Sequence, residues 1–129
     1  MKKLTKTVVR TTIFLCLGGL FGYTVANTVK SIDKSNNIIE VLKDNCDCKE
    51  VNQIIYAKGI QIGKNGLSTE KGEYQLVDCK FESIKKETER IQKLLRSNIK
   101  NYKNIDLLEL EFVNGKRTQT VVIKDGIIQ

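Results

Sequence analysis

The chain has 129 residues, which leaves room for one small domain after a targeting or anchoring segment. It contains no His and no Trp, which excludes a Ser-His-Asp triad and an imidazole metal site and weakens any platform for stacking sugars or bases. The net charge of +7 does not indicate nucleic-acid binding, because four of the 22 Lys and Arg residues lie within residues 1–10 and the remaining 18 stand against 15 Asp and Glu residues.

Residues 11–29 carry no charged side chain and follow the basic first ten residues. A helix rises about 1.5 Å per residue, so this run would reach about 28 Å, close to the thickness of the hydrocarbon core of a bilayer. The positive-inside rule places the N-terminus in the cytoplasm and the rest of the chain outside. We therefore expect residues 1–30 to be a signal-anchor, or transmembrane segment, in the cytoplasmic membrane of a bacterium.

A second interpretation is open for the same segment. Residues 13–25 would be the apolar region of a secretory signal, and cleavage after Ala26 would release a secreted or periplasmic protein. Thr24 matches the first small position of a cleavage site less well than Ala would, which favours the retained anchor. Gly18 and Gly22 form a GxxxG pattern, through which two anchors would dimerise.

Residues 31–50 are predicted to be a stalk, or linker, between the membrane segment and the domain. The first half of this stretch is polar and weakly helical. The second half carries apolar residues spaced to give one helical face, and we expect its last turns to dock on the domain: Ile38, Ile39, Val41 and Leu42.

Three cysteines lie beyond the membrane segment: Cys46, Cys48 and Cys79. In an oxidising compartment we expect one disulfide, between Cys79 and either Cys46 or Cys48, while the third thiol stays free or pairs with a second chain. Three thiolates fall one ligand short of a structural zinc site, so no metal is expected. Thiol-disulfide exchange by Cys46 or Cys48 needs an activated thiolate, and the neighbouring Asp47 is an anion.

Residues 51–129 are predicted to form a small α+β domain in the order strand, strand, helix, strand, strand. The first two strands are expected at 51–62 and 73–81, and residues 82–99 form an amphipathic helix with apolar residues at the 3.6 period. The simplest packing is a four-stranded antiparallel sheet with this one helix across its apolar face. Its expected core combines these elements: Ile54, Tyr56, Ile91, Leu95, Leu108, Leu110, Phe112, Val121 and Ile123.

Asn114-Gly115 stands between two strand-like runs and predicts a hairpin with a two-residue turn. With these two residues as the turn, Phe112 faces Arg117 and Glu111 faces Thr118. The apolar residues collect on one face and leave a polar face, which is the candidate partner surface: Glu109, Glu111, Thr118 and Thr120.

The sequence contains no GxGxxG, GKS/T, GxSxG or HExxH motif, so no catalytic, cofactor-binding or metal-binding residue is predicted. We expect a non-catalytic binding or structural domain of the bacterial cell envelope. It would meet the membrane through residues 11–29 and an unidentified protein partner through its polar sheet face or a free edge strand. The alternatives are a secreted effector or inhibitor released after Ala26, and a thiol-disulfide exchange protein.

Overall fold

The computed structural model describes residues 33–63 and 66–129. The order of elements is α1 (33–45), β1 (Glu50–Gly63), β2 (Gly66–Val77), α2 (Ile84–Asn98), a 3-10 turn (Tyr102–Asn104), β3 (Leu107–Asn114), β4 (Arg117–Lys124) and β5 (Ile127–Ile128). The expected membrane segment, with Gly18, Gly22 and Ala26, lies outside these residues. Within the described part, no helix has both the length and the apolar character needed to span a bilayer.

The strands of the described chain form one five-stranded mixed sheet in the order β1-β2-β3-β4-β5. All neighbours are antiparallel except β2 and β3, which are parallel. This corrects the prediction of a four-stranded antiparallel sheet. The chain leaves β2, crosses the sheet in α2 and starts β3 at the same end as β2, and such a crossover makes neighbours parallel. The fifth strand follows a tight turn at Asp125 and Gly126, whose φ values are 50° and 76°.

Helix α2 follows the predicted pattern. Its N-cap is Ser83, whose hydroxyl oxygen accepts a hydrogen bond from the backbone N–H of Lys86 at 3.3 Å. Thr88, Ile91 and Leu95 are fully buried, at the spacing expected for one helical face. The amphipathic helix is therefore confirmed, with its ends moved inward by one or two residues.

Helix α1 lies within the stretch that was predicted as a stalk. Ser35, Ile38 and Leu42 are buried, and the two apolar side chains belong to the same core cluster as Leu108 and Ile91. The described chain therefore covers the sheet with two helices rather than the one expected.

The core contains most of the residues that the sequence predicted. Six of them are buried and two, Tyr56 and Val121, are partly buried. Ile54 was wrongly placed in the core, since its side chain is 51% exposed. The β1–β2 register shifts between Gln53 and Ile55, so Ile54 is the extra residue of a bulge and leaves the alternation of its strand.

The β3–β4 hairpin is confirmed, but its register differs from the prediction by two residues. Asn114 pairs with Arg117, so the turn residues are Gly115 and Lys116, and Phe112 faces Gln119. The Asn114 side-chain oxygen accepts a hydrogen bond from the backbone N–H of Cys79 at 3.0 Å, which holds Asn114 in the strand. A slip of two residues keeps every side chain on its expected face, because the period of a strand is two.

Candidate functional site

The face of the sheet turned away from α1 and α2, here called the open face, carries the predicted partner surface. Along β3, Leu108, Leu110 and Phe112 are buried under the helices, so Glu109 and Glu111 point to the opposite side. Thr120 pairs with Glu111, whereas Thr118 was predicted there and pairs with Val113 instead. No described helix or strand covers this face, and it contains all four predicted residues: Glu109, Glu111, Thr118 and Thr120.

The carboxylates of the open face have partners on β2. The Nζ atom of Lys71 lies 2.5 Å from an oxygen of Glu73 and 3.4 Å from an oxygen of Glu109. Hydrogen bonding to Glu73 is the main cause that raises the pKa of Lys71. The amide nitrogen of Gln75 donates to a carboxylate oxygen of Glu111 at 2.7 Å. These contacts are solvent-accessible, so a partner that binds here can replace them at little cost.

Apolar side chains are interleaved with these acids. The strand registers place Ile55, Glu73, Glu109 and Val122 in one row across four strands. Ile55 is 46% exposed, and Ile127, which pairs with Lys124 at the opposite edge of the sheet, is 65% exposed. These exposed isoleucines are the apolar part of the open face that a bound partner would remove from water.

The structure pairs Cys79 with Cys48, one of the two predicted partners. The backbone explains the choice. Glu50 pairs with Val77 at the strand ends, and Lys80 N–H donates to Asp47 O at 2.8 Å in the same register. Cys48 and Cys79 therefore lie directly opposite each other, and Cys46 is out of step with Cys79 by two residues.

Cys46 is a free, buried thiol. Burial raises its pKa, although the Arg90 guanidinium, whose Nη2 lies 3.8 Å from the sulfur, acts in the opposite direction. Arg90 is itself bound to the Glu87 carboxylate, which limits the charge it offers to the sulfur. A protonated, buried thiol is the opposite of the low-pKa thiolate that exchange chemistry needs, and it is poorly placed to bridge a second chain.

A buried polar cluster beneath α1 was not anticipated from the sequence. Glu70 is 3% exposed and accepts hydrogen bonds from the Tyr56 hydroxyl and from Lys34 Nζ, the latter at 2.8 Å. The hydroxyls of Ser35 and Tyr74 lie 3.1 Å apart beside it. Burial raises the pKa of Tyr74 to about 12, and it also raises the pKa of Tyr56. Because its charges are paired, the cluster fastens α1 to the sheet.

One sequence signal could have revealed this cluster. Glu70 stands two residues before Gly72 and four before Tyr74, so the alternation of β2 places it on the inner face. An acid at an inward position needs a cation or a donor nearby, and the polar start of α1 supplies Lys34.

Two open cavities flank α2 in the described part of the chain. The first, about 650 Å³, lies between the end of α2, the 3-10 turn and the β4–β5 turn, and its lining includes Arg96, Tyr102 and Lys103. The second, about 500 Å³, lies between the first half of α2 and strands β4 and β5. Among the described residues, no group of three His, Cys, Asp or Glu side chains could hold a metal ion.

The fold defines a class of architecture, a two-layer α+β domain with two helices on one face of a five-stranded mixed sheet. The chain matches no known protein family, no curated protein sequence and no solved structure. A fold of this kind does not select a function, which depends instead on the surfaces that the domain presents.

Proposed function

We propose that this chain is a non-catalytic binding domain held on the outer side of a bacterial cytoplasmic membrane by residues 11–29. Its open face binds a protein partner. The proposal rests on one observation. The open face combines exposed isoleucines with carboxylates, and no element of the described residues covers it.

The composition of the open face supports binding rather than solvation alone. A sheet face that only meets water is expected to be polar throughout, with apolar residues confined to the core side. Ile55 and Ile127 depart from this pattern, and Val122 lies between them in the sheet. Their burial by a partner would be worth about 25 cal/mol per Å² of apolar area removed from water.

Two features support the location. The uncharged run at 11–29, preceded by four cations, has the length and flanking charge of a signal-anchor. The Cys48–Cys79 pair fits an oxidising compartment, because disulfides are rare in the cytosol of ordinary bacteria.

Site-specific photo-crosslinking in intact cells tests the binding face. A photoreactive residue at Ile55 lies on the open face, and a matched control at Glu82 occupies an exposed position beside α2, with 82% side-chain exposure. We expect one defined adduct from position 55 that is not formed from position 82 and that Glu111→Lys weakens. The same adducts from both positions, or none from position 55, would contradict the proposal.

Membrane fractionation and N-terminal sequencing test the location. We expect the chain to require detergent for extraction and to retain its first residues. A soluble protein whose mature N-terminus is Asn27 would instead support the secreted effector released after Ala26. A reporter that is active only in the cytoplasm, fused after Gln129, should be inactive if the domain lies outside.

A further inference from the structure

We infer that the outer edge of β4, with the cavity beside it, binds an extended, acidic segment of a partner protein by strand addition. This site, here called the edge groove, is the cavity of about 500 Å³ described above. Its walls are Ile84, Thr88, Val121 and Ile128, and charged side chains at its rim are Lys85 and Glu89. The inference is separate from the open face, which lies on the other side of the sheet.

The backbone of β4 is open on its outer side. Strand β5 pairs only with Ile123 and Lys124, and within the described residues nothing pairs with the outer side from Arg117 to Val121. Asn114 and Arg117 flank a two-residue turn and form a hydrogen-bonded pair, so the next residues alternate, and the N–H and C=O groups of Thr118 and Thr120 point outward.

Strand β5 shows that this edge accepts a strand. The outward carbonyl of Val122 accepts a hydrogen bond from the backbone N–H of Gln129 at 2.9 Å, directly beyond the β4–β5 pairs. A partner strand would continue this row and take up the donors and acceptors of Thr120 and Thr118. Main-chain pairing of this kind supplies affinity without requiring one particular sequence.

The groove supplies the pockets for side chains. Val121 pairs with Leu110 and therefore points toward the helix layer, where Ile84 and Thr88 of α2 stand opposite it. Every second side chain of an added strand would enter this space. Its volume lies within the range of about 300–1,000 Å³ that is typical of ligand pockets. The partner segment should therefore carry apolar residues at alternate positions.

The charges around the edge select an acidic partner. Lys85 and Glu89 are the charged side chains that line the groove, and Lys116 and Arg117 add two cations at the start of the β4 edge. None of these three cations has an ion-pair partner among the described residues. Edge-to-edge pairing of two copies of this chain would bring these like charges together, whereas an acidic strand would neutralise them. Charge complementarity therefore favours a different protein over a second copy.

The test uses the full chain in detergent and a fluorescent ten-residue probe in which Val and Ile alternate with Asp and Thr. Fluorescence anisotropy measures binding. Thr120→Pro removes an outward N–H and leaves the bonds between β4 and β3 in place, and its matched control Thr120→Val changes only the side chain. We expect Thr120→Val to bind as the native chain does, and Thr120→Pro to bind at least about tenfold more weakly.

A second comparison tests the backbone contacts without changing the protein. A probe with N-methyl groups on alternate amides cannot donate to the β4 edge, so it should not bind even if Thr120→Pro proves poorly folded by circular dichroism. Equal binding of the methylated and plain probes, or undiminished binding by a folded Thr120→Pro variant, would overturn the inference.

A third comparison tests the charge preference. Lys85→Glu should weaken binding of the acidic probe about two- to fivefold, as expected for one exposed charge contact. The same variant should bind a probe with Lys in place of Asp more tightly than the native chain does. Lys93→Glu, on α2 but outside the groove, is the control and should change neither. A chain that binds neither probe but sediments as a dimer, which Thr120→Pro abolishes, would identify a second copy as the occupant and refute the acidic partner. The Ile55 cross-link tests the open face and does not affect this result.

Discussion

Removal of the Cys48–Cys79 pair should destabilise the domain strongly. The two residues are separated by 31 positions. In the chain-entropy model, a loop of that length corresponds to about 3.7 kcal/mol at 25 °C, because the cross-link restricts the unfolded chain. A small domain has a total stability of about 5–15 kcal/mol, so this one bond is a large share of it.

Three single substitutions separate the alternatives. Cys79→Ser removes both pairings that the sequence allows, Cys48→Ser leaves Cys46 as the only possible partner of Cys79, and Cys46→Ser leaves the observed pair intact. Urea unfolding should show a loss of about 3.7 kcal/mol for Cys79→Ser and for the reduced native chain, equivalent to about 15–30 °C in Tm for a domain of this size. Cys46→Ser should show a much smaller loss.

Two results would refute this reasoning. If reduction of the native chain shifted the urea midpoint by less than the Cys46→Ser substitution shifts it, the bond would not stabilise the fold through the unfolded state. If Cys48→Ser remained as stable as the native chain and ran as an oxidised species on a non-reducing gel, Cys46 would pair with Cys79 equally well. The strand register that separates the two cysteines by two positions would then be wrong.

Three further predictions concern the buried cluster, the hairpin turn and the alkaline limit of stability. Glu70→Gln leaves the partly buried Lys34 without its carboxylate and should cost about 3 kcal/mol in urea unfolding, whereas Glu82→Gln in the exposed pair should cost less than about 0.5 kcal/mol. Gly115→Ala should cost about 1 kcal/mol in the same assay, because Gly115 has a φ of 60° that disfavours residues with a Cβ. A steric clash adds nothing to this cost, since an added Cβ would meet no atom within 4 Å. The pKa of Tyr74 is raised from 10.0 to about 12, so the folded chain holds its proton more tightly. The contribution of Tyr74 to stability should therefore be fully present below pH 10 and be lost as the pH rises from 10 toward 12, as measured by urea midpoints at each pH.

Elements with one dominant local signal were predictable from the sequence. The apolar stripe of α2 and the Asn114-Gly115 signal between β3 and β4 each indicated an element and its inner face, although Gly115 and Lys116 form the turn itself. For that reason Glu109, Glu111 and the two threonines were placed together on one face, even though their partners across the strands were displaced by two positions.

The non-local features were not predictable. The parallel neighbours β2 and β3 have no hairpin turn between them, and the sequence of a strand does not state which strand lies beside it. The register of β4 depended on a hydrogen bond between Asn114 and the backbone of Cys79, which are distant in the chain. Glu70 met Lys34 for the same reason, since α1 and β2 are brought together only in the folded domain.

The number of helices explains why both candidate surfaces exist. Five strands at about 4.8 Å spacing give a sheet about 19 Å wide from the first strand axis to the last, and two helices of about 10 Å diameter cover one face of that width. The described chain supplies no further helix, so the second face stays open. The crossover through α2 places β3 beside β2 and sends the remaining strands outward, where the two-residue β5 protects only the last part of the β4 edge. The open face and the edge groove therefore follow from the same topology. The described residues leave the face without a covering layer and most of the β4 edge without a pairing strand, and a bound partner would supply both.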